Sequence, residues 1–190
     1  MANKISIIVP CFNEAMWITG LLDALFKQDV SLDQMEVIIA DGQSTDDTVA
    51  KIEAFAGSNP ELDIHMVENP ERAIPAALNK AVQSSTGDIV IRLDAHSAPH
   101  SDYIRRCLAV LETTGSANVG GIWEIEPGGN SWIARSIAIA ASHPLGAGDA
   151  RYRISGDAGP VDTVPFGAFR REWLDRIGPF NRRCHLIGNS

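Results

Sequence analysis

No glycine follows the first strand-like run of this chain. Lys4 to Pro10 leads into Cys11-Phe12-Asn13-Glu14, and that absence removes both the dinucleotide-binding turn and the P-loop, which need glycine so that backbone can approach a phosphate. An oxidoreductase of Rossmann type is disfavoured on the same ground. Basic residues are scarce as well. Sixteen Lys and Arg against 24 Asp and Glu give a formal net charge of -8. Nucleic acid is therefore not the expected partner, because phosphate backbones want clustered cations. The three cysteines, Cys11, Cys107 and Cys184, are odd in number and far apart. They supply neither a disulfide framework nor metal-ligand spacing, which points to a reducing cytoplasm. No apolar run reaches the length of a membrane span, since Trp132 to Ala141 is short and broken by Arg135. Met1-Ala2-Asn3-Lys4 carries no signal-peptide pattern, and there is no internal repeat or low-complexity tract. The expectation is a soluble acidic protein, with peripheral membrane contact left open. Such a protein needs a cation to handle an anionic ligand.

What is present is an ordinary globular composition, 45% hydrophobic and 21% charged over 190 residues, enough for one well-filled core. Lys4 to Pro10 and Met35 to Ala40 read as buried strands, with a helix between them carried by Ile18, Leu21, Leu22, Leu25 and Phe26. Ser44 and Asp47 have the spacing of a capping box ahead of a helix through Phe55. Ile64 to Val67 is a third strand, Asn69-Pro70-Glu71-Arg72 a turn, and Pro75 opens a helix to about Ser85 that Gly87 is expected to end as a left-handed cap. Asp88 to Leu93 is the fourth strand, a helix runs from about Ser101 to Leu111, and Ala117 to Ile125 is the fifth strand. Gly120-Gly121 marks a close approach of backbone. Strands alternating with helices predict an α/β fold with a mostly parallel sheet and helices on both faces. Past Pro127 the rhythm changes. A helix over Trp132 to Ser142, a long loop, a strand over Val161 to Phe166 and a short helix over Arg170 to Ile177 are expected. The chain reads as one domain, with a nucleotide-binding half over residues 4–125 and an acceptor half over residues 126–180.

The strand Ile89-Val90-Ile91-Arg92-Leu93 ends in Asp94-Ala95-His96. Taken alone, that ending reads as a strand-to-loop turn. Two other strand ends also carry acids or amides: Asn13 and Glu14 after the first, Asp41 after the second. Acids gathered on one edge of a sheet are costly unless a cation or ligand donors offset them. An Asp and a His two residues apart can share a divalent cation that neutralises a diphosphate.

These motifs together resemble glycosyltransferase family 2. Pro10-Cys11-Phe12-Asn13-Glu14 matches the opening signature of that family, and Asp41, Gly42, Ser44, Asp46 and Thr48 match its second, Asp-Gly-x-Ser-x-Asp-x-Thr. Asp94-Ala95-His96 is a variant of its metal-binding Asp-x-Asp. Together with Asn69-Pro-x-Arg72, Ala76-Ala77-Leu78-Asn79 and the run from Asp162 to Arg170, the variant is similar to bacterial exopolysaccharide glycosyltransferases of the succinoglycan type. The likeness spans about residues 4 to 180. It implies the GT-A fold and inverting, metal-dependent transfer of a hexose from a nucleotide sugar, expected to be UDP-linked. The implied acceptor is a lipid-linked molecule or polysaccharide in exopolysaccharide or cell-envelope glycan synthesis, at the cytoplasmic membrane face. Residue by residue, Pro10, Asn13 and Glu14 would line the nucleotide pocket and Asp41 would contact base or ribose. Arg72 and Asn79 would support the donor. Asp94 and His96 would hold Mn2+ or Mg2+, the imidazole suiting Mn2+ better.

One departure stands out. The family's general base is a carboxylate downstream of a Gly-x-Phe-Asp-Glu-like segment, here Gly178-Pro179-Phe180-Asn181, yet from there to Ser190 the sequence has no Asp or Glu. The tail reads as a truncation or a frame slip. His185, Asp162 and Asp157 are weak substitutes, which keeps open a fragment that binds nucleotide sugar without turning it over. Trp123 and Trp132 are expected to pack, with stacking on a sugar ring as the alternative, and Arg151 and Arg153 to be solvated.

Overall fold

The computed structural model describes residues 4–122, 124–125, 127, 129–143, 159–161, 164 and 166–181. The expectations on Trp123, Arg151, Arg153, Asp157, Asp162 and His185 lie outside the described residues.

Six strands form one sheet: β1 (Ile5–Cys11), β2 (Met35–Asp41), β3 (Asp63–Glu68), β4 (Ile89–Arg92), β5 (Asn118–Val119) and β6 (Ala168–Arg170), in the order β3-β2-β1-β4-β6-β5. The first four are parallel, with Ile5 opposite both Met35 and Ile89. β6 runs antiparallel to β4, and β5 antiparallel to β6. The helices are α1 (Ile18–Phe26), α2 (Thr48–Ser58), α3 (Ile74–Ser84), α4 (Tyr103–Thr114), α5 (Trp132–Ser142) and α6 (Arg171–Ile177).

The central strands are apolar without alternation because both faces are covered. Ile5, Ile7, Val9, Val37, Ile39, Ile89 and Ile91 point to the face that carries α1, α2 and α4, where Leu21, Leu22, Ile52 and Ile104 meet them. Ile8, Ile38, Ala40 and Val90 point to the other face, against Ala77, Leu78 and Ala81 of α3 and Leu174 of α6. Each fully buried aliphatic side chain of this kind contributes roughly 1.5–3 kcal/mol. The mostly parallel sheet with helices on both faces is therefore the predicted α/β architecture. Among the described residues, no helix is long and apolar enough to cross a membrane.

Four local expectations are corrected. α3 ends at Ser84 with an extended Ser85, and Gly87 is not a left-handed cap. Gly87 is required because a Cβ there would lie 2.7 Å from Ser6 N and 2.8 Å from Lys4 O. The fifth strand is Asn118–Val119 where Ala117 to Ile125 was expected, and β6 (Ala168–Arg170) pairs antiparallel with it; the strand expected over Val161 to Phe166 falls partly outside the described residues. Gly120 does lie where backbone comes close, with a Cβ there 2.9 Å from Phe166 O. The capping box does not form: α2 starts at Thr48 with no side-chain cap from Asp47. Trp132, expected to pack, is 77% exposed at the start of α5, and Ile133, Ile137 and Ile139 face outward beside it.

Candidate functional site

Parallel strands deliver their carboxyl ends to one edge, and a crevice opens there. Here it is a cleft of about 270 Å³, just below the usual range of small-molecule pockets. Pro10 to Phe12 and Glu14 form one wall, and Gly42 lies at the end of β2. Asn69 and Arg72 to Ile74 come from the β3–α3 turn, and Asp94 to His96 from the end of β4.

The two signature loops hold each other in place. Asn13 and Gln43 sit in the left-handed region, at φ 55° and 60°, which asparagine tolerates better than most residues. Asn13 N–H donates to Ser44 Oγ at 2.8 Å, and Thr45 N–H donates to Asn13 Oδ1 at 2.8 Å. Ser44 in turn donates from Oγ (2.6 Å) and from N–H (3.0 Å) to the two oxygens of Asp41. Glu14 N–H donates to Thr48 Oγ1 at 2.8 Å. Asp46 accepts from Thr48 N–H and Oγ1 and from Ala15 N–H, and the Thr48 hydroxyl leads the causes that lower its carboxyl below the ordinary value. Ser44 is thus drawn back to Asp41, which is why it cannot cap α2. Asn13 and Asp41 are engaged in the loop pair and are not among the residues that line the cleft.

Across the cleft, the turn Asn69-Pro70-Glu71-Arg72 closes with Arg72 N–H donating to Asn69 O at 3.0 Å. Arg72 takes a left-handed φ of 53°. Its guanidinium lies 5.0 Å from the centre of the Phe12 ring, and its Nε donates to Gly42 O at 3.1 Å. A cation over an aromatic face is a pre-formed platform for a planar ring. Asn69 is 3% exposed; its Nδ2 donates to Ala73 O at 3.3 Å, while its Oδ1 has no partner among the described residues. Cys11 lies in the same wall with its thiol pushed up to about 12, by burial first and by Asp41 and Glu14 after it. Asn79 is directed elsewhere: it exchanges two hydrogen bonds with the backbone of Phe180, at 2.9 and 2.7 Å.

The acid end of the cleft is lined by three side chains of metal-ligand type, Glu14, Asp94 and His96, whose donor atoms do not all come within 4.8 Å of one another. Asp94 and His96 both line it, and His96 Nδ1 is 3.8 Å from Glu14 Oε1. Two carboxylates and an imidazole suit a divalent first-row cation. Asp94 is braced from below: its N–H donates to Ser97 Oγ at 3.2 Å, and Ser97 N–H donates to Asp94 O at 2.9 Å. Arg92, the last residue of β4, donates from one terminal nitrogen to Asp94 Oδ1 at 3.2 Å. Its guanidinium lies 5.5 Å from the centre of the Phe166 ring, and its buried Nε has no acceptor among the described residues.

Among the described residues, the group whose ligand atoms all lie within 4.8 Å of one another is a different one, Glu36, Asp63 and His65, at the opposite edge of the sheet, where β2 and β3 begin. Its central carboxylate is already taken. Ser6 Oγ and Thr86 N–H each donate to Glu36 Oε1 at 2.6 Å, and Lys4 Nζ lies 3.3 Å from Oε2.

Of the residues singled out from sequence, Pro10, Glu14, Arg72, Asp94 and His96 line one cleft, while Asn13 and Asp41 stand behind its wall. Sequence reasoning gave no role to Phe12, Asn69 or Arg92. Arg92 carried a signal, being the one charge inside the apolar run Ile89 to Leu93.

The family model for glycosyl transferase family 2 matches residues 6–178. A dolichyl N-acetyl-alpha-D-glucosaminyl phosphate 3-beta-D-2,3-diacetamido-2,3-dideoxy-beta-D-glucuronosyltransferase of Methanococcus voltae is 32% identical over 151 residues, 77% of this chain and 46% of that protein. The succinoglycan biosynthesis protein ExoA of Rhizobium meliloti is 33% identical over 149 residues, 77% of this chain and 44% of that protein. Among solved structures, a mannosyltransferase from Pyrobaculum calidifontis in complex with GDP-Man and Mn2+ superposes with a TM-score of 0.71 at 28% identity, over 95% of this chain and 48% of that one. The chain spans less than half the length of the curated relatives it matches.

Proposed function

This chain belongs to glycosyltransferase family 2 and has the GT-A fold, and from that premise we propose that it takes part in metal-dependent, inverting transfer of a hexose from a UDP-linked sugar. The acceptor is a lipid-linked molecule or a polysaccharide in exopolysaccharide or envelope-glycan synthesis, met at the cytoplasmic face of the membrane. Residues 4–125 act as the nucleotide-binding half and residues 126–180 as the acceptor half. The observation that carries this reading is a cleft lined both by the Phe12–Arg72 platform and by Glu14, Asp94 and His96. The succinoglycan protein among its relatives supports the exopolysaccharide assignment.

In this reading the Phe12 ring and Arg72 hold the base, and Pro10 and Glu14 bound the nucleoside. Asn13 and Asp41 keep the wall rigid, so that little order has to be gained on binding. Asp94 and His96 hold the cation, Mn2+ in preference to Mg2+. When bound, the metal supplies Lewis-acid stabilisation of the charge that builds on the departing diphosphate.

The alternative reading is a fragment that binds nucleotide sugar without turning it over. Calorimetric titration of UDP with and without Mn2+, with GDP as comparator, tests the donor site. Metal-dependent binding of UDP is expected, and no binding by a chain that circular dichroism finds folded would overturn the assignment. Glycosyl transfer from a UDP-sugar would in turn exclude the binding-only reading.

A further inference from the structure

The Arg92 side chain is 23% exposed, and it makes few hydrogen bonds for a guanidinium with its Nε buried. A guanidinium has five N–H donors, yet among the described residues its side chain makes one hydrogen bond, to Asp94 Oδ1 at 3.2 Å. Its Nε is buried with no acceptor. Its remaining support is the Phe166 ring, 5.5 Å from the guanidinium carbon to the ring centre. That ring is fixed in turn, since Arg92 N–H donates to Gly167 O at 3.1 Å and the Tyr103 hydroxyl donates to Phe166 O at 3.0 Å. A positive charge is thus held against one oxygen of Asp94 by packing, with few hydrogen bonds to break if it lets go.

We propose that Arg92 is a positioning residue that serves as the internal counter-cation of Asp94 and holds down the affinity of the nucleotide-free site for a divalent metal. This rests on the reading of Asp94 as a metal ligand. The physical reason is competition. A cation approaching Asp94 meets a carboxylate that is already half neutralised, and it is repelled by a guanidinium that sits in a partly dry environment. A diphosphate brings its own negative charge and oxygen ligands, which reverse that balance. Metal capture is therefore coupled to capture of the nucleoside diphosphate, as any two ligands with a favourable coupling free energy must be.

The test is nucleotide-free binding of Mn2+, read by electron paramagnetic resonance as loss of the free-ion signal. Arg92→Gln removes the charge while keeping a planar amide beside Asp94. It is expected to bind Mn2+ about tenfold more tightly than the parent without nucleotide. Arg92→Lys keeps the charge and is expected to stay within about twofold of the parent. Damage to the fold cannot imitate this result, because damage weakens binding. A folded Arg92→Gln whose affinity is unchanged or lower overturns the proposal. The reading beneath it is tested separately: Mn2+ binding in the presence of UDP must be lost in Asp94→Ala. If it persists, the donor-site assignment fails and the role of Arg92 falls with it. If it is lost while Arg92→Gln shows no gain, only the role of Arg92 falls.

Discussion

The two edges of the sheet carry the same kinds of residue and treat them in opposite ways. At the amino edge Glu36 is 3% exposed and accepts from Ser6 Oγ, Thr86 N–H and Thr86 Oγ1, with Lys4 beside it. Ser6 Oγ also accepts from Gly87 N–H at 2.8 Å, so the knot joins β1, β2 and the start of β4. At the carboxyl edge, among the described residues, Asp94 has one side-chain partner and neither Asn69 Oδ1 nor the buried Nε of Arg92 has any. A polar cluster whose capacity is filled by its own chain stabilises the fold. One whose capacity is left open where a cleft lies is available to a ligand. Metal-ligand spacing alone would pick the filled edge, since among the described residues it is the amino-edge group Glu36, Asp63 and His65 that satisfies it.

The largest effect should come from breaking the filled end. Burial raises the Glu36 carboxyl, but the hydrogen bonds from Ser6 and Thr86 outweigh it and hold the group at about 2 against an ordinary 4.5. A lowered folded value means stabilisation that is complete above pH 4.5 and lost as pH falls towards 2. Glu36→Gln should cost on the order of 3 kcal/mol at pH 7 by urea unfolding. The cost should shrink as the parent's carboxylate becomes protonated, while UDP affinity stays unchanged. A pH-independent cost would show that shape and not charge holds the knot.

Breaking the open end should do the reverse. Asp94→Ala is expected to abolish the metal-dependent part of UDP binding, at least about a hundredfold or about 2.7 kcal/mol. Its unfolding free energy should stay within about 1 kcal/mol of the parent, because the carboxylate is only partly buried. A large loss of stability would place Asp94 with Glu36 and erase the contrast.

The contrast was half legible in the sequence. The long apolar runs fixed β1, β2 and β4 because strands covered on both faces need no alternation. Their endings then announced which edge was polar. The far edge was not legible: β5 and β6 are two and three residues long, too short for any period to register. Ser44 was misread as a cap because its spacing to Asp47 allowed one, whereas it bonds back to Asp41, equally near in sequence, and accepts from Asn13, a partner that depends on β1 and β2 lying side by side. Gly87 was misread for the same reason, its constraint being the neighbouring strand at Ser6. Glu36 gave no sign of its role, since one acid inside an apolar run does not say which donors will surround it.

Within the open end, the platform and the acid group should separate. Arg72→Ala removes both the cation over Phe12 and the bond to Gly42 O. Loss of one partly desolvated cation–π contact and one hydrogen bond predicts about tenfold weaker UDP binding. The loss should be equal with and without Mn2+, since the contacts of Arg72 are with Phe12 and Gly42 and not with Asp94 or His96. A loss confined to the Mn2+ titration would mean that Arg72 acts on the diphosphate.

The smallest effect belongs to Cys11, and it tests how closed the wall is. Cys11 lines the cleft yet is 5% exposed, with its thiol pushed up to about 12 by burial and then by Asp41 and Glu14. At pH 8 the reactive thiolate is then a negligible fraction. Alkylation by iodoacetamide, followed peptide by peptide in the folded protein, should leave Cys11 intact, as it should the buried Cys107, whose thiol burial raises to about 11. Cys11→Ala should shift UDP affinity by less than about twofold and stability by about 1 kcal/mol. Rapid labelling of Cys11 that UDP suppresses would show that the first loop opens in the absence of ligand. The rigidity ascribed to the Asn13–Ser44–Asp41 bonds would then be something the nucleotide brings about, and the open end of the sheet would be open in its backbone as well as in its hydrogen bonds.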